Sequence, residues 1–271
     1  MVDFQCKPRY DWANFLEIMR LLRAPGGCPW DAEQTHQSIR RNFLEETYEA
    51  LDALDRDDPD AMCEELGDVL MQVVFHAQIE QELGRFTMED VVNGVAQKMV
   101  YRHPHVFGGT MQADSSEEVL VNWEVLKRRE KDQRSTADAI EAVPHTLPAL
   151  WRAEKIQSKA AKAGFDWQGA MGALEKLEEE VRELREAMES GKSVEAPHGV
   201  REEVGDTLFM AAKVAQAFQT DPEEALHRAC DKFEARFRFV ENAADKPLAA
   251  YSQEELLSLW RAAKEHESKK S

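Results

Sequence analysis

The hydrophobic positions of this chain recur every three or four residues almost throughout, which is the spacing of amphipathic helices. The first stripe consists of Ile39, Phe43, Leu44, Leu51 and Leu54. The second consists of Met62, Leu66, Val69, Leu70, Val73, Val74 and Ala77. The Asp57-Asp58-Pro59 break separates the two stripes, and the second one stops near Gly84. Alternating Val/Ile/Thr runs typical of strands are absent, so we predict an all-α protein of helical bundles.

Further helix starts are indicated by Thr87-x-x-Asp90 and Ser252-x-x-Glu255, which have the form of capping boxes. The amphipathic rhythm is lost between about Asp132 and Thr146. We therefore predict an N-terminal domain over residues 1–131, a linker over 132–147 and a C-terminal domain over 148–271.

Each predicted domain carries the same acidic signature. The first copy is Glu45-Glu46-x-x-Glu49 followed by Glu65-x-x-Asp68. The second copy is Glu179-Glu180-x-x-Glu183 followed by Glu203-x-x-Asp206. Other landmarks repeat in the same order, namely Trp30 with Trp167, Lys98/Arg102 with Lys232/Arg236, and Trp123/Lys127 with Trp260/Lys264. Landmarks that recur in one order indicate a duplicated domain.

The acidic signatures predict metal sites. Carboxylates three residues apart lie on one face of a helix, so two such helices aim four oxygen ligands at one point. Four converging carboxylates repel one another unless a hard cation lies between them, and Mg²⁺ or Mn²⁺ suits that chemistry. Ferritin-like di-iron proteins also use helical carboxylates, but they need Glu-x-x-His, and this chain has Asp68 and Asp206 at the histidine positions.

Composition limits the class of partner. Lys and Arg total 34 against 52 Asp and Glu, giving a formal net charge of −18, which disfavours binding to a nucleic-acid polymer. The opening residues do not form a signal peptide, and no apolar run approaches the length of a membrane span. The four cysteines have no zinc spacing, which is typical of a reducing compartment. The sequence therefore predicts a soluble cytoplasmic protein.

Several blocks resemble the MazG family along nearly the whole chain. They are Gly26-Gly27-Cys28-Pro29-Trp30-Asp31, Gln34-Thr35-His36, Leu44-Glu45-Glu46-x-Tyr48-Glu49, Glu65-Leu66-Gly67-Asp68, Leu147-Pro148-Ala149-Leu150 and Lys232-Phe233-Glu234-x-Arg236-Phe237. The resemblance implies tandem all-α domains, a homodimer, and Mg²⁺-dependent cleavage of nucleoside triphosphates into monophosphate and pyrophosphate. Related dUTP and phosphoribosyl-ATP pyrophosphohydrolases share the acidic pattern, so the base of the substrate stays open.

The resemblance also implies residue roles in the C-terminal half. The implied metal ligands are Glu180, Glu183, Glu203 and Asp206, and the implied nucleotide contacts are Lys176, Lys232, Arg236 and Trp260. We interpret Glu179 as a general base or a ligand to a second metal ion. A second, N-terminal metal site is predicted at Glu46, Glu49, Glu65 and Asp68.

The C-terminal half is predicted to carry most of the turnover. Aligning the two signatures places Lys176 opposite Asn42 and Arg201 opposite Cys63, which gives this half two additional cations for phosphate. The expected role is control of the nucleotide pool, with ATP among the triphosphates bound. The alternative is an acidic helical adaptor without catalytic activity, whose carboxylates face water.

Overall fold

The computed structural model describes residues 2–108, 115–130, 135–191 and 193–268, without the side chains of residues 128 and 129. Over these residues the chain is helical and contains no strand, which confirms the predicted all-α class. It divides into two compact units, Met1–Lys127 and Arg128–Ser271. No helix in the described part of the chain combines the length and apolar character needed to cross a membrane.

Unit 1 is organised around the long helix α4. Its helices are α1 (Trp12–Arg23), α2 (Pro29–Glu33), α3 (Arg40–Asp55), α4 (Pro59–Glu82), α5 (Met88–Arg102), α6 (Pro104–Phe107) and α7 (Ser116–Glu130), of which the last extends past the division between the units. Helix α4 packs against α1, α3 and α5. The core consists of Met19, Ile39, Val74, Phe75, Ala77, Ile79 and Met88.

The short connection between α3 and α4 sets the geometry of the first acidic signature. Asp57 adopts a left-handed conformation with φ of 53°, and the Asp58 side chain accepts a hydrogen bond from the Ala61 backbone N–H at 3.1 Å. Pro59 then occupies the first helical turn, where its missing N–H costs nothing. The predicted break is thus confirmed, and it folds α4 back along α3.

Unit 2 repeats this arrangement. Its helices are α8 (Thr136–Glu141), α9 (Ala149–Lys162), α10 (Gly169–Glu189), α11 (Val200–Ala217), α12 (Pro222–Ala243) and α13 (Gln253–Ser268), with a 3₁₀ turn at Leu248–Ala250. Helices α10 and α11 pack together, α9 packs on α11 and α12, and α12 packs on α13. The core consists largely of small side chains, with Met210 and Val240 among its larger members.

Both predicted capping boxes are confirmed. Thr87 and Asp90 exchange hydrogen bonds at the start of α5, and Ser252 and Glu255 do so at the start of α13. The predicted linker, residues 132–147, contains α8, which packs on α9. Residues 132–134 lie outside the described residues, and the predicted domain boundaries stay a prediction.

Candidate metal and phosphate site

The α10–α11 pair gathers the C-terminal carboxylates. Oxygen atoms of Glu180, Glu203 and Asp206 all lie within 4.8 Å of one another. Glu180 and Glu203 are buried, with 7% and 5% of their surface exposed, whereas Asp206 is exposed. Glu183, one turn after Glu180, lies outside this tight group but close enough for its charge to act on Glu203.

Two carboxylates of this cluster, those of Glu203 and Asp206, resist ionisation. Burial raises the pKa of Glu203, and the charges of Glu183 and Asp206 raise it further. Burial also raises the pKa of Asp206, followed in effect by the charge of Glu180. Buried like charges at this spacing favour a bound cation, because ionising them without one is costly.

Lys176 supplies part of the missing positive charge. Its Nζ atom lies 2.8 Å from Glu180 Oε1 and 3.2 Å from Glu179 Oε1, on the same face of α10. These contacts, chiefly the one with Glu180, raise the pKa of Lys176 and keep the ammonium charged. Glu179 thus lies at the edge of the cluster, hydrogen-bonded to Lys176 and about half exposed.

His198 is a site residue that the sequence analysis missed. It precedes α11 in a left-handed conformation with φ of 53°, and its Nδ1 atom lies 3.9 Å from carboxylate oxygens of both Glu202 and Glu203. Its positive form lowers the pKa of Glu203 and of Asp206, against the larger opposing effects. Its place in a loop gives no periodic signal that could have identified it.

Arg201 does not join the cluster. Its guanidinium pairs with Glu195 at 2.8 Å and is largely exposed. Residues two apart on a helix do not face each other, so Arg201 points away from the face that carries Glu203.

The remaining implied nucleotide contacts lie on α12 and α13. The Arg236 guanidinium is 5.9 Å from the Trp260 ring and pairs with Glu267 at 2.6 Å. Phe233 packs on the same indole, with ring centroids 5.1 Å apart. Lys232 is exposed and, among the described residues, forms no ion pair. Within the same described set, neither Lys232 nor Arg236 is hydrogen-bonded to the carboxylate cluster.

The N-terminal carboxylates form a matching but different cluster. Oxygen atoms of Glu46, Glu49 and Glu65 lie within 4.8 Å of one another. Burial raises the pKa of Glu46, and the charge of Asp68 is the next largest cause. Burial, followed by the charge of Glu49, raises the pKa of Glu65. Asp68 therefore borders this group, as Glu183 borders the C-terminal one.

The duplication extends to the aromatic partner of the basic helix. Arg102 lies over Trp123 at 5.1 Å in unit 1, just as Arg236 lies over Trp260 in unit 2. Arg102 is buried, with 7% of its surface exposed.

The donor sets fit a small hard cation. Opposite ligands of an octahedral Mg²⁺ lie about 4.2 Å apart, since each Mg–O distance is about 2.1 Å. Carboxylate oxygens within 4.8 Å of one another reach that geometry with small side-chain movements. All the donors are carboxylates, and histidine or cysteine ligands of a softer metal do not occur in either group.

Comparison with known proteins identifies the class. The chain matches the MazG nucleotide pyrophosphohydrolase domain twice, over residues 34–107 and 168–240, and it belongs to this family. The two matches confirm the predicted duplication.

Relatives match along most of the chain. The nucleoside triphosphate pyrophosphohydrolase of Escherichia coli strain K12 is 42% identical over 258 residues, covering 94% of this chain and 97% of the relative. The nucleoside triphosphate pyrophosphohydrolase/pyrophosphatase MazG of Thermotoga maritima is 42% identical over 93% of this chain and 94% of its own length. The uncharacterized protein YabN of Bacillus subtilis is 46% identical over 95% of this chain. The chain spans about half (52%) of the length of that protein.

Proposed function

We propose that this protein hydrolyses nucleoside triphosphates, including deoxynucleoside triphosphates, to a nucleoside monophosphate and pyrophosphate, with Mg²⁺ as the cofactor and Mn²⁺ as a substitute. The observation that carries the proposal is the cluster of Glu180, Glu203 and Asp206, with the Lys176 ammonium beside it. The relatives named nucleoside triphosphate pyrophosphohydrolase support it. Control of the nucleotide pool in the cytoplasm is the proposed role, and four free cysteines are consistent with that compartment.

The proposed site lies in the C-terminal half. Glu180, Glu183, Glu203 and Asp206 hold the cation, which when bound supplies charge neutralisation for the phosphate oxygens and activation of a water molecule. Lys176 exchanges its glutamate partners for a phosphate oxygen of the substrate.

Glu179 is the proposed general base. Its half-exposed carboxylate borders the cluster and accepts the proton of the water that attacks the α-phosphorus. Lys232 and Arg236 balance the charge of the departing pyrophosphate, and Trp260 stacks on the base. Arg201 can contact a phosphate only after its ion pair with Glu195 is broken.

Product analysis tests the reaction. The protein is incubated with a panel of NTPs and dNTPs and Mg²⁺, and the products are separated by chromatography. We expect monophosphate and pyrophosphate. Diphosphate and orthophosphate as the first products would refute the proposal, and an adaptor protein would release neither pair.

A matched pair of variants tests the site. Glu203→Gln keeps size and helix propensity but removes one ligand charge, so activity should fall at least about tenfold, as for other losses at a metal site. Glu65→Gln makes the same change in the N-terminal cluster and should leave most of the turnover. Circular dichroism checks that both variants are folded. If Glu65→Gln loses activity while Glu203→Gln keeps it, the N-terminal half is the active one and our assignment is reversed.

We also propose a homodimer. It is supported by large apolar side chains that stay exposed on the acidic helix pair of unit 1, such as Leu44 at 56%, Leu54 at 53% and Leu66 at 53%. Light scattering coupled to size-exclusion chromatography measures the mass directly, and a monomer at micromolar concentration would contradict this.

A further inference from the structure

Two histidines join a loop of unit 1 to the long helix α4. His36 belongs to the loop of residues 34–39, which connects α2 to α3 and is called the 34–39 loop below. Its Nδ1 atom lies 2.7 Å from Nδ1 of His76 on α4. Its Nε2 atom lies 2.6 Å from Oε1 of Glu80, one turn further along the same helix. The proposed hydrolysis uses none of these side chains.

The surroundings of the two imidazoles are provided by α3 and by the end of α4. The Phe43 ring of α3 packs on His76, with ring centroids 5.6 Å apart. Glu80 is buried, with 8% of its surface exposed, and its second oxygen pairs with Arg85 at 2.7 Å. The charged groups that the described residues bring to the two imidazoles are therefore Glu80 and, behind it, Arg85.

The contact between the two Nδ1 atoms limits the number of protons that the rings can carry. An N–H···N hydrogen bond needs a proton on one nitrogen and a lone pair on the other, whereas a charged imidazole has a proton on both of its nitrogens. Only one of the two rings can therefore be charged while this hydrogen bond exists. In agreement with this, burial and, after it, the charge of His36 lower the pKa of His76.

Unit 2 has no such pair at the corresponding positions of its sequence. Alignment on the acidic signatures places Ala170 and Val214 opposite the two histidines, and Phe218 opposite Glu80. These three side chains neither take up protons nor form hydrogen bonds. The histidine pair is thus specific to unit 1, and the helix arrangement that the two units share does not require it.

We propose that the His36–His76 pair is a proton-operated latch, which holds the 34–39 loop on α4 while at most one imidazole is charged and releases it when both are charged. The released loop binds one more proton than the latched loop, so acid favours release. The ratio of released to latched molecules should rise by up to about tenfold per pH unit below about pH 6.5. Because the loop ends at Ile39, which is both the N-cap of α3 and a core residue, its release loosens the start of α3.

Amide hydrogen exchange of the full chain between about pH 5 and about pH 8 tests the latch. The reporters are the N–H groups of Ser38, Ile39 and Phe43, which are hydrogen-bonded to Thr35 and Ile39. After correction for the intrinsic exchange rate, their opening constants should be steady near neutral pH and should rise by up to about tenfold per unit below about pH 6.5. The Gly172 N–H, at the start of α10, is the internal reference and should show no such rise.

Two substitutions of His76 separate the proton effect from a structural one. His76→Gln keeps a donor and an acceptor for His36 but takes up no proton, so the loop should stay protected and its opening should no longer depend on pH. His76→Leu cannot form the hydrogen bond, so opening should be about fivefold to tenfold higher at every pH. His227→Gln, at an exposed position of α12, is the control for a lost histidine and should behave as the wild type does.

Circular dichroism confirms that the three variants are folded. A wild-type opening constant that does not rise as pH falls would overturn the proposal, and so would a rise that persists in His76→Gln. Wild-type protection of the loop in His76→Leu at neutral pH would overturn it as well, because the pair would then not hold the loop. Nucleotide turnover enters none of these measurements, so the latch holds or fails independently of the proposed hydrolysis.

Discussion

Replacing Lys176 by Met should produce two opposite changes in the C-terminal site. The Lys176 ammonium lies 2.8 Å from Glu180, so it competes with a metal ion for that carboxylate. Without the ammonium, Mg²⁺ should bind more tightly in the absence of nucleotide. The triphosphate, which loses a charge-assisted contact, should bind more weakly.

The size of each change follows from the geometry. An ammonium and a cation on the same carboxylate oxygen lie about 4–5 Å apart, and at that distance two unit charges in water interact by about 1 kcal/mol. The double charge of Mg²⁺ doubles this repulsion. Because the Lys176 side chain is 30% exposed, solvent screens part of it. We therefore expect Lys176→Met to bind Mg²⁺ more tightly by about 1.4 kcal/mol, or about tenfold. Loss of one charge-assisted hydrogen bond costs about 1.5–3 kcal/mol, so KM should rise at least about tenfold.

Calorimetry with Mg²⁺ and steady-state kinetics with ATP measure the two effects. Lys176→Met in the Glu180→Gln background should gain little cation affinity, because the carboxylate for which the ammonium competes is then already neutral. Lys155→Met, on an exposed position of α9, is the control for a lost surface charge. Unchanged or weaker Mg²⁺ binding by Lys176→Met would refute the competition, and an unchanged KM would refute the phosphate contact.

Three further predictions concern stability. Burial lowers the pKa of His76, and the neighbouring His36 adds to the effect. The unfolded chain therefore binds more protons than the folded one, and the free energy of unfolding should fall as pH falls below about 6.5. His76→Gln should remove this pH dependence from the melting temperature. Asp166→Ala should destabilise unit 2 by about 2–3 kcal/mol, because it removes the carboxylate that pairs with buried Lys213 at 2.5 Å and leaves the ammonium with the neutral Gln216 as acceptor. Lys213→Met should cost about 1 kcal/mol or less, since the half-exposed Asp166 can hydrate. Hydrogen exchange of α11 measures both effects. Gly199→Ala should lower the melting temperature of unit 2, because a Cβ there lies 2.6 Å from a backbone oxygen of the preceding loop.

Each of these has an internal comparison. The His76 imidazole contacts His36 at 2.7 Å and the Phe43 ring, and the other ring nitrogen of His36 is hydrogen-bonded to Glu80 at 2.6 Å. If the melting temperature of His76→Gln still falls below about pH 6.5, a group other than His76 titrates. For the Asp166 pair, exchange in unit 1 should stay unchanged, and equal losses in the two variants would contradict the reasoning. Gly205→Ala meets nothing within 4 Å and should not destabilise α11.

Local sequence signals predicted the helices well, because caps and breaks act within a few residues. The Asp57–Pro59 break and the capping box at Thr87 need no tertiary information, and both are confirmed. The order of landmarks predicted the duplication, which the two family matches and the paired arginine–tryptophan contacts support. Helix α8 was missed because it spans only six residues, too few for a hydrophobic period to be visible.

The carboxylates of the site were predictable, whereas their surroundings were not. Spacing alone places Glu180, Glu203 and Asp206 on facing helices, and the structure brings them together. Helical geometry also excludes Arg201 from that face, which an alignment of charges along the sequence did not consider. His198 lies in the loop before α11, where no periodic pattern identifies its approach to Glu203.

The two halves thus differ in how they can balance the same negative charge. In the C-terminal half the Lys176 ammonium supplies part of that balance, and it must leave Glu180 before it can contact a phosphate. In the N-terminal half Asn42 stands at the corresponding position, and burial together with the neighbouring carboxylates raises the pKa of Glu46 and Glu65. The two clusters therefore share their carboxylates but not the lysine, and the Lys176→Met variant measures what that difference contributes.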